Sequence, residues 1–164
     1  MAKQTANPSF KQLLRSPTLL LAFGFGSGLS PKAPGTIGTI AAIPLWLLLA
    51  QLPLASYLMV VLVSAIVGVY ICGAAAKTLG VHDHGGIVWD GFVGFWIAMA
   101  AMPVTWTSLI LGFALFRFFD IVMPWPISWL DKKVSGGFGI MIDDVIAGLA
   151  AAGIIALLSG VGLI

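Results

Sequence analysis

The chain has 164 residues, of which 60% are hydrophobic and 9% charged, with a net charge of +2 and a mean hydropathy of +1.08. A water-soluble fold could not hide that much apolar surface, and the long uncharged runs point to a bilayer. The small net charge gives no case for nucleic acid, and the lone Cys72, within an apolar run, can form no internal disulfide.

Residues 1–17 are polar, with Pro8 and Pro17, and Lys3, Lys11 and Arg15 suit a cytoplasmic arm lying on anionic lipid. The next stretch, LLLAFGFGSGLS, is glycine-interrupted and short for a crossing, and it lacks the long apolar core and cleavage site of a signal peptide. It reads as a re-entrant or interfacial segment. Spans are then expected at about 37–51, 55–76, 87–102, 107–122 and 140–160, each bounded by Pro, Gly or charge. The expected fold is all-α: a polytopic membrane bundle of about five transmembrane helices, with residues 18–164 forming one transmembrane domain behind the arm. Between the fourth and fifth spans, PWPISWLDKKV sets Trp125 and Trp129 one turn apart beside Lys132 and Lys133, as in a short helix in the headgroup layer. The connections QLPLAS and MPVTWT carry no charge, whereas the N-terminal arm, KTLGVHDHGG and LDKKVSGG carry nearly all the Lys and Arg. The positive-inside rule makes the charged set cytoplasmic, with the N-terminus in and the C-terminus out.

All six carboxylates are aspartates, and Asp83, Asp90, Asp120, Asp143 and Asp144 fall at or just inside the same, cytoplasmic end of apolar segments. A charge placed in hydrocarbon is costly, so such residues mark function or need a compensating cation. With no Glu, two His and one Cys, the cluster suits a hard cation such as Mg²⁺ better than zinc. Asp131, beside Lys132 and Lys133, reads as an ordinary surface ion pair. Arg117 and Asp120, three apart on a helix, either neutralise each other or leave the Arg117 donor fork to hold a phosphate.

In SGLSPKAPGTIGTIAA the breakers Pro31, Pro34 and Gly35 precede Thr36, which is expected to open an apolar helix with its free N–H groups facing the cytoplasm, a potential anion site. His82 and His84, flanking Asp83, are solvated loop residues or acid–base groups. Gly94, Ala147, Gly148 and Ala151 look like small contact residues that let helices approach closely.

Three stretches in order, SGLSPKAPGTIGTIAAIP, GVHDHGGIVWDGFVGFW and FRFFDIVMPWPISWLDKKVSGGFGIMIDDVIAG, resemble the bacterial phosphatidylglycerophosphatase A family over about residues 17–150. The resemblance implies an inner-membrane, Mg²⁺-dependent phosphatase that removes the terminal phosphate of phosphatidylglycerophosphate to give phosphatidylglycerol, among membrane lipids. It marks Asp83, Asp90, Asp120, Asp143 and Asp144 as catalytic; of these, Asp90, Asp143 and Asp144, with Asp83 or Asp120 as further candidates, are expected to hold the metal. It marks Pro34, Gly35, Thr36 and Arg117 as substrate-binding. Two positions depart from the family pattern: Gly91 stands where a Glu is usual, and Met123 where a Lys is usual. One negative and one positive charge are absent together.

Two other functions share some of these features. A metal-dependent phosphatidyl transferase also gathers aspartates at cytoplasmic helix ends, but its DGxxAR motif is missing, since DGFVGF follows Val88 and Trp89. An ion- or proton-coupled transporter would use the acids as a relay, yet none marks the midplane or the outer half. Hydrolysis of a lipid phosphomonoester at the cytoplasmic face is the expected activity.

Overall fold

The computed structural model describes residues 10–29, 34–79, 87–100, 102, 104–122, 136–160 and 162. These residues form helices and turns, with no strand among them: α1 (Phe10–Arg15), α2 (Pro17–Ala22), a 3₁₀ turn (Ser27–Leu29), α3 (Pro34–Leu49), α4 (Leu54–Leu79), α5 (Trp89–Ala98), α6 (Trp106–Val122) and α7 (Gly136–Gly160). The described residues are all-helical, as expected.

The N-terminal part is built against the bundle. Ser16 caps α2 by accepting from the Leu19 N–H at 3.3 Å, and Pro17 at the first helical position has no N–H to lose. Leu13, Leu19, Ala22 and Phe23 are buried, so residues 10–15, expected as part of a polar arm, form a helix with one apolar side held inside. After Ala22 the chain reverses through Gly24, Phe25 and Gly26, all at positive φ (57°, 59° and 101°). At Gly24 a side chain would collide with Phe92, and the Val88 N–H donates to the Ala22 carbonyl at 2.7 Å. The glycine-interrupted stretch thereby docks on the start of α5.

Helix α5 is the hub. Eight of its ten residues are buried, and it packs on α3, α4, α6 and α7. Its indoles are tied to neighbouring backbones and its own backbone to a neighbour: Trp89 Nε1 donates to Ser64 O at 3.1 Å, Trp96 Nε1 to Ala42 O at 3.3 Å, and Tyr57 Oη of α4 to Trp96 O. Phe95 meets Trp46 and Phe116 edge to face with ring centroids 6.5 Å apart in both cases. Such ties fix the rotation of a short helix that its own backbone bonds would leave free.

Each apolar segment expected to span has a helix, with shifted ends. The third is shorter than its expected 87–102, because the Val88 N–H is taken by Ala22 at one end and Met99 N and Ala100 N close a final turn at the other. Helices α4 and α7 are long and apolar enough to cross a bilayer, over Leu54–Thr78 and Phe138–Gly160, and α3 contributes a shorter apolar helix over Gly35–Leu49. Helix α5, at about 1.5 Å per residue, reaches only about half of a ~30 Å hydrocarbon core.

Contacts along the hub give the directions. Gly38 faces Val88, and Gly91 faces Thr39 and Asp144, while Gly94 lies against Gly148, so α3, α5 and α7 run one way. Tyr57 reaches Trp96 while Ser64 meets Trp89, and Gly94 faces Phe116 while Gly112 faces Met99, so α4 and α6 run the other. The first turns of α3, α5 and α7 and the last turns of α4 and α6 therefore share one end. Gly94, Gly148, Ala147 and Ala151 sit in the seams, the two alanines fully buried, and a side chain on Gly148 would strike the Gly94 carbonyl.

Candidate active site

Four helices deliver polar side chains to that shared end. Helix α5 starts at Trp89, which puts Asp90 in its first turn, where free N–H groups and the positive end of the helix dipole favour a carboxylate. Asp143 and Asp144 lie about two turns into α7. Asp120 lies in the last turn of α6. Asp90, Asp143 and Asp144 are 9%, 7% and 5% exposed. The Asp144 carboxyl lies close to both Asp90 and Asp120, so three helices bring three carboxyl groups together. Carboxyl groups this close are held together only with a proton or a cation between them. Asp143 is likewise buried, turned about 100° round the helix from Asp144.

Arg117 sits one turn before Asp120 and pairs with it, as the spacing allowed. The same guanidinium lies against the first turn of α3: a Cβ on Gly35 would be 3.0 Å from Arg117 Nη2 and 3.3 Å from Nη1. Arg117 Nε is buried with no hydrogen-bond partner among the described residues. Both readings of Arg117 thus meet in one place, an ion pair with Asp120 and a donor fork beside a helix start. That helix begins at Pro34 and not at the expected Thr36, because the fixed φ of proline fits the first helical position. Gly35 and Thr36 therefore lie within the first turn, and Thr36 is not the cap.

Thr39 also belongs to this end. It is 1% exposed, its hydroxyl donates to the Gly35 carbonyl at 2.8 Å, and both it and Asp144 lie near Gly91. The signal was there: Thr39 follows Gly35 by four residues and so shares its face of the helix. Other expected residues, namely Asp83, His82, His84, Met123 and the segment with Trp125, Trp129, Asp131, Lys132 and Lys133, lie outside the described residues.

Among the described residues no group of three or more His, Cys, Asp or Glu side chains is arranged to hold a metal ion by itself. Magnesium rarely has such a cage: one or two carboxylates suffice, with water and phosphate oxygens completing the octahedron. Asp90 and Asp144 offer carboxylate oxygens, with no His or Cys grouped with them among the described residues, which fits a hard divalent cation and not zinc. The arrangement sets a cation-attracting cluster directly beside an anion-attracting one.

The model of the family described as Phosphatidylglycerophosphatase A matches residues 20–159. A phosphatidylglycerophosphatase A of Escherichia coli is 52% identical over 143 residues, covering 87% of this chain and 83% of its own. The protein of that name from Haemophilus influenzae is 48% identical over 147 residues, covering 88% and 90%. No solved structure matches the chain. A family match over nearly the whole chain, two relatives near half identity and carboxylates gathered beside an arginine agree: the chain belongs to the phosphatidylglycerophosphatase A family and is a phosphatase.

Proposed function

We propose that this chain hydrolyses the terminal phosphate of phosphatidylglycerophosphate to phosphatidylglycerol, with Mg²⁺, at the cytoplasmic face of the bacterial inner membrane. The observation that carries the reading is the Arg117 guanidinium lying between Asp120 and Gly35, with Asp144 next to both Asp120 and Asp90. A phosphomonoester is an anion that must be bound by donors and also made electrophilic, and both requirements have residues here. The names of the Escherichia coli and Haemophilus influenzae relatives supply the substrate.

Arg117 and the N–H groups of the first turn of α3 bind and orient the phosphate, and they spread the charge on its oxygens as the ester bond weakens. Asp90 and Asp144 would hold the magnesium, with Asp120 and Asp143 alongside; when bound, the ion neutralises phosphate charge and acidifies coordinated water. Asp120 keeps the Arg117 fork pointed in one direction. The lipid tails stay in the bilayer while the phosphate enters from the side.

A multi-pass arrangement with the N-terminus inside is supported by surface and charge. Along α4, Leu54, Leu58, Leu62, Ile66 and Tyr70 recur every four residues and are exposed, a face suited to acyl chains. The end holding the aspartates also holds Arg117 and Lys77, whereas the opposite connections, residues 50–53 and 102–105, carry no charge.

Purified chain in liposomes carrying phosphatidylglycerophosphate is expected to release phosphate with Mg²⁺ and to stop on chelation, with no accompanying proton flux. Flux without phosphate release would replace this reading with the transporter.

A further inference from the structure

Helices α3 and α6 meet where the Arg117 guanidinium lies against Gly35, yet each packs mainly on other elements, α3 on α5 and the 3₁₀ turn, and α6 on α5 and α7. Because the two run in opposite directions, the seam between them starts at Gly35 and Arg117 and leads toward the end of α3 and the start of α6. There it opens into a cavity of about 290 Å³, walled by Ile43, Trp46 and Leu47 on one side and by Val104, Trp106 and Leu109 on the other. Helix α5 closes the back of the seam: the Phe95 ring meets Trp46 of α3 at 6.5 Å and Phe113 of α6 at 6.3 Å, both edge to face. Leu47, Val104 and Trp106 are exposed, so the front of the cavity faces outward between the helices.

The two helices give the same depth for this cavity. At about 1.5 Å per residue, Ile43 to Leu47 lie about 12–18 Å along α3 from Gly35, and Leu109 to Trp106 lie about 12–17 Å along α6 from Arg117. That depth is about half of a ~30 Å hydrocarbon core, which is what the tails of one leaflet fill.

We propose that the seam between α3 and α6 is an acyl-chain subsite: while Arg117 and the first turn of α3 hold the phosphate, one fatty acyl chain of the substrate runs between the two helices and ends in the cavity. This deepens the phosphatase reading and rests on it. The occupant follows from continuity and chemistry, because what starts at a phosphate site and ends in an apolar cavity one leaflet deeper is a phosphate joined to a long hydrocarbon chain. Affinity is not what the seam supplies, since lipid tails are already in surroundings as apolar as leucine. It supplies direction. With one chain fixed, the glycerol and its phosphate cannot swing, and the ester bond stays aligned beside Arg117 and the carboxyl groups. The second chain remains among the bilayer lipids.

The test uses the full chain in detergent micelles with saturating Mg²⁺ and either dipalmitoyl or dioctanoyl phosphatidylglycerophosphate, whose shorter chains end before the cavity. Leu47→Trp and Val104→Trp fill the cavity from its two sides, and Leu62→Trp on the exposed face of α4 is the control. The readout is the ratio of kcat for the long-chain lipid to kcat for the short-chain lipid, so that any difference in how the two lipids enter micelles is common to every variant. The unaltered chain is expected to favour the dipalmitoyl lipid by about tenfold, and each filled variant to lose most of that preference. Leu62→Trp is expected to keep it. A ratio near one in the unaltered chain overturns the subsite, as does a ratio that survives both filled variants or falls equally in Leu62→Trp. Filled variants that lose both activities alike also overturn it. Phosphate release from neither lipid by the unaltered chain defeats the underlying phosphatase reading, and the subsite with it.

Discussion

At Gly35 a missing side chain is what allows Arg117 to lie on the first turn of α3. Gly35→Val would push the guanidinium away while leaving the bundle core untouched, and kcat/KM for phosphatidylglycerophosphate is expected to fall about 10²-fold, with little change in melting temperature. An unchanged kcat/KM would remove the Arg117 and α3 pair from phosphate binding. At this scale much was legible: a lone arginine one turn from an aspartate, and aspartates in apolar runs, announce themselves because charge is costly there. Thr39 and the unpressed Gly91 were not legible. A threonine in an apolar helix looks ordinary until the helix is docked, and sequence distinguishes no pressed glycine from an unpressed one.

Among the helices, α5 and α7 depend on close approach. A Cβ on Gly94 would come within 2.6 Å of the Asp144 carbonyl oxygen and 2.5 Å of Phe116 Cε1, and a backbone oxygen cannot step aside as a side-chain tip can. Gly94→Ala is expected to destabilise the bundle by about 1–3 kcal/mol, the usual penalty of overpacking, and to lower activity because the atom displaced belongs to Asp144. Thermal unfolding in detergent checks the first expectation and phosphate release the second; a full-strength, fully stable Gly94→Ala would refute the tight seam. The apolar segments revealed that helices exist, and their ends revealed roughly where. Two features escaped because they come from tertiary contacts: the bond from Val88 to Ala22 that shortens α5, and the burial of Leu13 that turns part of a polar arm into a docked helix.

Across the whole molecule, helices alternating in direction bring the starts of α3, α5 and α7 to the ends of α4 and α6. Charge then separates without any single residue being responsible: acids, Arg117 and Lys77 at one end, uncharged connections at the other. That separation of charge was legible in the composition of the connections. Which carboxyl groups meet was not, because adjacent aspartates such as Asp143 and Asp144 differ by about 100° around the helix and only packing selects between them. If the carboxyl groups meeting at Asp144 work with Arg117 as one phosphate-cleaving site, the rate of phosphate release from phosphatidylglycerophosphate with saturating Mg²⁺ must differ between the unaltered chain and Asp144→Asn. The expected result is a loss of at least about 10³-fold with the protein still folded; an Asp144→Asn protein that releases phosphate at the original rate would contradict it.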